Sequence, residues 1–76
     1  MFSVNDLKLG ESGYIVSIEC SKEIKQRLLD LGLIPKTKIT PVLMSPSKTT
    51  IAYEFRGSTI ALRNDDTKLI YIKSHF

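Results

Sequence analysis

The chain has 76 residues, 42 per cent of them apolar, with 11 Lys or Arg against 8 Asp or Glu for a formal net charge of +3. This length suits one small domain spanning 1–76, which buries a modest share of its surface, and a single Cys (Cys20) and a single His (His75) exclude an internal disulfide and nearly exclude a zinc site. The opening MFSVNDLKLG lacks the basic and then apolar pattern of a secretory leader, and no apolar run approaches the roughly 20 residues of a spanning helix, so a cytoplasmic chain is expected.

In chain order, NDLKLGESG is turn-rich. SGYIVSIE then alternates as a half-buried strand does, and Tyr14, Val16 and Ile18 are expected to point inward. Ser21 is placed to cap a helix, its hydroxyl accepting from exposed backbone N–H groups. Glu23 in the first turn suits the positive end of the helix dipole, and it stands four residues before Arg27 in the favourable order. At about 100° per residue, Ile24, Leu28 and Leu31 share one stripe, the expected core face. Gly32 stands where a left-handed terminating residue is needed, Leu33 can fold back onto Leu28, and Pro35 prevents resumption. Leu29 projects about 100° away from Leu28, among Lys22, Lys25 and Gln26. It is either covered by a neighbouring loop or an exposed apolar anchor ringed by polar residues.

After Pro35, TKITPVLM reads as a strand with Ile39 and Val42 as its apolar positions. Pro41 puts that strand at an edge or at a bulge. SPSK (45–48) is a loop. TTIAYEF alternates with Ile51, Tyr53 and Phe55 on one face. Arg56-Gly57-Ser58 forms a tight turn, and TIALR returns with Ile60 and Leu62 inward and Ala61 and Arg63 outward. NDDTK is a second turn, and LIYIK closes with Ile70 and Ile72 on one face. The sum is five short strands with one helix after the first, a mainly β chain.

This order, with RLLDLGLIPKTKI (27–39), FRGSTIALR (55–63) and DDTKLIYI (65–72), resembles the FeoA family of small cytosolic proteins of bacterial ferrous iron uptake. The resemblance covers essentially the whole chain. It implies a small SH3-like barrel, and a partner in FeoB, a membrane protein with a cytosolic GTP-binding domain and an iron-transport domain. Two positions depart from the family pattern. Lys36 stands where glycine is common, and the loop at 45–48 lacks the glycine and acidic residues many relatives carry. A similar domain forms the C-terminal part of some metal-dependent repressors, which also carry DNA-binding and dimerisation domains; a stand-alone domain is the expectation for these 76 residues.

The residues themselves offer little chemistry. His75 lies next to the C-terminus, away from any nucleophile, so no catalytic residue is expected. Cys20 is expected to be a small packed residue, although Lys22 and the helix N-terminus could lower its pKa. Asp65 and Asp66 suit a turn. One His and one Cys far apart do not make an iron site, no G-x-x-x-x-G-K-[ST] cradles a phosphate, and no cofactor is expected. Without tryptophan, and with its tyrosines on separate strands, the chain lacks the aromatic walls of a proline-peptide groove.

What remains is an interaction module. The expected contact surface is the helix edge of Lys22, Lys25, Gln26 and Leu29 with Met44 and Pro46 of the following loop, because an off-stripe leucine among flexible basic residues and a loop methionine both suit adaptable contacts. The expected role is accessory: docking on the inner side of the membrane by contact with FeoB and shifting its conformational populations. A nucleic-acid or repressor-like binding module is the alternative, although nucleic acid is the less expected partner with charge so scattered. Weak homo-oligomerisation through an edge strand is a third possibility.

Overall fold

A computed structural model describes residues 2–75. Its elements are β1 (Phe2–Ser3), a 3₁₀ turn (Val4–Asp6), β2 (Gly13–Ile18), α1 (Lys22–Asp30), β3 (Lys38–Met44), β4 (Thr50–Phe55), β5 (Ser58–Arg63), α2 (Asn64–Thr67) and β6 (Ile70–Lys73). The six strands form one antiparallel sheet in the order β1-β6-β2-β3-β4-β5, which curls without closing. The mainly β class with one principal helix after the first long strand therefore holds. The three additions to the expected elements are short: a two-residue β1 beside β6, the 3₁₀ turn after it, and a single helical turn where NDDTK read as a plain turn.

The core gathers one face of each long strand: Ile15, Ile18, Ile39, Ile51, Tyr53, Phe55, Leu62, Ile70 and Ile72, joined by Val4, Leu28 and Leu33. In β4, β5 and β6 the expected inward residues are those found, with Ile60 half-buried. In β2 the expected face is corrected. Ile15 is fully buried and Tyr14 and Val16 are half-buried, while Ile18 is buried as expected. The reason is a bulge: Ile15 faces Ile72 but Ser17 faces Tyr71, so one extra residue inverts the alternation between Ile15 and Ile18. Gly13, also buried, leaves room for the Ile72 side chain, since a Cβ there would fall 2.6 Å from Ile72 Cδ1.

A second bulge corrects β3. Pro41 faces Tyr53 and Leu43 faces Ala52, leaving Val42 as the extra residue and 45 per cent exposed, whereas Ile39 is buried. Pro41 thus sits at a bulge and not on an edge strand. Its carbonyl accepts from Gly10 N–H at 2.8 Å.

The helix stop forms as its sequence reads. Ser21 Oγ accepts from Ile24 N–H, Gly32 has φ +98°, Leu33 N–H donates to Leu28 O at 2.9 Å and Gly32 N–H to Leu29 O at 3.0 Å. This paired termination satisfies the last carbonyls and reverses the chain. It also corrects the stripe. Leu28 and Leu33 are buried, but Leu31, the residue at the cap, is 52 per cent exposed. The reversal puts Leu33 in the core where continued helix would have put Leu31. Beyond it, Lys36 adopts φ +75°, and Lys36 N–H and Ile15 O join at 2.7 Å to bring the turn back to β2.

Candidate functional site

The exposed face of α1 carries Lys22, Glu23, Gln26, Arg27 and Asp30, which with Leu31 line a shallow open depression. Along it Gln26 Nε2 donates to Asp30 Oδ1 at 2.9 Å. The face is therefore mixed in charge, and its apolar element lies at the C-terminal end. There Leu31 is joined past the turn by Ile34, 38 per cent exposed. A Cβ on Gly32 would lie 3.8 Å from Arg56 Nη1, so the β4–β5 turn packs beside this corner and brings a cation to it. An exposed leucine and isoleucine between guanidinium and carboxylate groups can bury against a partner's apolar surface while the rim is paired by charge.

Of the residues expected from sequence, Lys22 and Gln26 line this depression, and Lys25 is exposed on the same helix outside it. Leu29 is half-buried and packs against the core. Met44 and Pro46 are exposed but belong to a different stretch, the end of β3 and its loop, where Val42, Leu43 and Met44 form a run of exposed apolar residues. Sequence reasoning missed Leu31 because helical spacing put it on the core stripe. The available signal was its place directly before Gly32, where that spacing stops applying.

The remaining candidate groups are structural. The Cys20 thiol donates to Asp66 O at 3.4 Å and packs on the core. Partial burial, then the Asp66 and Glu19 carboxylates, push its pKa up, opposite to the lowering that Lys22 and the helix end could have produced. Asp65 is exposed and pairs at 3.8 Å with Lys68, the residue that caps the end of α2. Tyr53 and Phe55 are in the core, so β4 offers no aromatic platform for bases. Among the described residues no three His, Cys, Asp or Glu side chains gather as a metal site, and no helix is long and apolar enough to cross a membrane.

The FeoA domain profile matches residues 2–74. The chain belongs to the FeoA family. Consistent with this, it is 34 per cent identical over 70 residues to a Campylobacter jejuni protein assigned as an Fe(2+) transport protein A, across 92 per cent of this chain and 95 per cent of that one. Its fold matches the FeoA protein of Chlorobium tepidum with a TM-score of 0.92 at 22 per cent identity, over 96 per cent of this chain and 70 per cent of that one. It also matches a Stenotrophomonas maltophilia FeoA solved with zinc and described as a prokaryotic SH3 domain protein, with a TM-score of 0.83 at 19 per cent identity, over 96 and 91 per cent of the two chains. The SH3-like architecture expected for a FeoA protein is thus the one found, and membership makes this chain a ferrous iron transport accessory protein.

Proposed function

We propose that this FeoA-family chain acts by direct contact with the cytosolic side of FeoB, and that the outer face of α1 carries the contact. The supporting observation is Leu31, a large apolar side chain left 52 per cent exposed by the helix stop and flanked by ionic residues of α1. Lys22, Lys25 and Gln26 form the polar rim of this surface, and Met44 and Pro46 supply a second exposed stretch that a large partner can also cover. Leu29 stabilises the helix from beneath. The chain would favour one state of the partner by binding it more tightly than the others, since equal affinity for all states shifts nothing.

The test is binding of the purified chain to full-length FeoB from the same organism in each nucleotide state, with GTP hydrolysis followed in the same samples. Saturable binding is expected, weakened at least roughly tenfold by Leu31→Asp with the melting temperature unchanged, because loss of a central apolar contact costs more than about 1.4 kcal/mol. Unaltered binding by Leu31→Asp removes the surface from consideration. No binding by the native chain in any nucleotide state removes the partner. The nucleic-acid alternative gains nothing from this geometry, because the aromatic residues of β4 are buried.

A further inference from the structure

The two ends of the sheet differ in how they are protected. β1, at one end, has two residues. β5, at the other, has six, paired to β4 in unbroken register from Thr50↔Arg63 to Phe55↔Ser58. Natural edge strands are blunted by proline, lysine, a bulge or shortness, because a bare edge invites another strand. β5, Ser-Thr-Ile-Ala-Leu-Arg, has none of these and a single charge at its end.

The hydrogen-bond phase of this edge is determined. The two-residue turn makes Phe55 and Ser58 a bonded pair, and alternation then makes Tyr53↔Ile60 and Ile51↔Leu62 bonded pairs. The next step of the same phase is present: Asn64 N–H donates to Thr49 O at 3.0 Å. Thr59 and Ala61 therefore turn their N–H and C=O groups away from β4, as Arg63 does its N–H, while the Arg63 carbonyl, at the N-cap of α2, already accepts the first bond of that helix. The side chains of Thr59, Ala61 and Arg63 lie on the outer face, where all three are exposed.

We propose that this edge pairs with a second copy of itself, antiparallel, about a two-fold axis at Ala61. That register sets Ala61 against Ala61 of the second copy and Thr59 against Arg63 of the second copy, so every outward N–H meets a carbonyl. On the inner side it sets Ile60, half-buried in one chain, against Leu62 of the other. On the outer side it joins the row Leu43, Ala52, Ala61 of each chain into one apolar row across both sheets, and Leu43 is 67 per cent exposed in the single chain.

Charge selects this register. Glu54 faces Thr59 on the outer side, so Arg63 of the second copy stands two strands from Glu54, about 9–10 Å at the usual strand spacing. Both side chains are exposed and can lean across the small Thr59 to meet. The symmetry makes the pair twice. Shifting the axis to Ile60 keeps the outer faces aligned, but it puts Ala61 opposite Thr59 and carries Arg63 past the end of the strand, which loses both pairs. The proposal is independent of any contact with FeoB.

The experiment is sedimentation of the full chain from micromolar to millimolar concentration, with amide exchange followed by NMR at both ends of that range. Association is expected, with concentration-dependent protection at Thr59, Ala61 and Arg63 and none at Ser58, Ile60 or Leu62, whose amides β4 already holds. Ala61→Pro removes a central donor without touching the β4 ladder and is expected to leave a folded monomer. Arg63→Glu is expected to weaken association roughly tenfold by setting two like-charge pairs across the sheet, and Glu54→Arg with Arg63→Glu is expected to restore it. If Ala61→Pro does not fold, the charge reversal and the amide pattern decide. A chain that stays monomeric at millimolar concentration overturns the proposal and leaves the edge to a strand of another protein. Protection that falls elsewhere, or association indifferent to both substitutions, overturns it as well.

Discussion

The β4–β5 hairpin and the β2–β3 side of the sheet are built from similar residues and behave differently. In the hairpin six consecutive residues of β4 face six of β5 with no interruption, and the turn between them, Arg56-Gly57, has φ +52° and +79°, the twist-matched geometry for a two-residue connection. Across the molecule β2 and β3 each carry one extra residue, Val16 and Val42, and each bends there. Apolar alternation is a statement about phase. It holds as long as the register holds, and a bulge resets it.

The largest test of that difference lies in β2. Ile15 is fully buried and Val16, next to it, is the extra residue of the bulge and half-buried. Ile15→Ala is expected to cost about 2–5 kcal/mol, the usual range for a large buried aliphatic, whereas Val16→Ala should cost less than about 1 kcal/mol. Chemical denaturation of the two variants checks this. Equal costs, or the reverse order, would mean that β2 keeps simple alternation in solution and that the two sides of the sheet do not differ.

This contrast also explains what the sequence made legible. Ser21, Gly32 and Pro35 predict the helix and its stop, because capping is local chemistry in which each residue acts on backbone groups within a turn of itself. Ile51, Tyr53, Phe55, Ile70 and Ile72 predict their burial for the same reason. The inward face of β2 and the exposure of Val42 were not legible. A bulge depends on the register of a partner strand, and no residue in YIVSI or TPVLM announces one beyond Pro41. The contact surface was legible in part. The polar residues of α1 stood out by composition, but exchanging Leu29 for Leu31 as its exposed apolar member required seeing Leu33 take the core position.

A smaller effect is expected at Lys36, where the bulged side passes through a conformation that side chains disfavour, φ +75°. A left-handed residue with a Cβ costs roughly 1–2 kcal/mol, and glycine recovers part of that while adding freedom to the unfolded chain. Lys36→Gly should therefore stabilise the fold by up to about 1 kcal/mol, seen as a higher denaturation midpoint with an unchanged slope. The same change at Lys38, in regular β3 geometry, should destabilise it, since glycine weakens a strand interior. A loss of stability from Lys36→Gly would mean that the lysine side chain contributes more than its backbone strain costs.

The smallest effect at neutral pH belongs to the regular side. Tyr53 is fully buried at the centre of β4, and its hydroxyl makes no hydrogen bond of ordinary geometry. The Thr67 hydroxyl stands near enough to ease the phenolate slightly, yet it is committed at 3.3 Å both to Asn5 Oδ1 and to Asn64 O. Burial dominates and raises the Tyr53 pKa above its ordinary value of 10. The sign follows. With the folded value above the unfolded one, the neutral phenol's contribution is fully present below pH 10 and is lost as pH climbs toward the raised value, because only the unfolded chain releases its proton easily. Tyr53→Phe should thus change stability by less than about 1 kcal/mol at pH 7, since an unpaired buried hydroxyl adds little. Above pH 10 the variant should lose less stability than the native chain, and unfolding curves on both sides of that pH measure the difference. Parallel alkaline losses in the two proteins would place the titration elsewhere, and a large loss at neutral pH would show that the hydroxyl has a firm partner inside the hairpin after all.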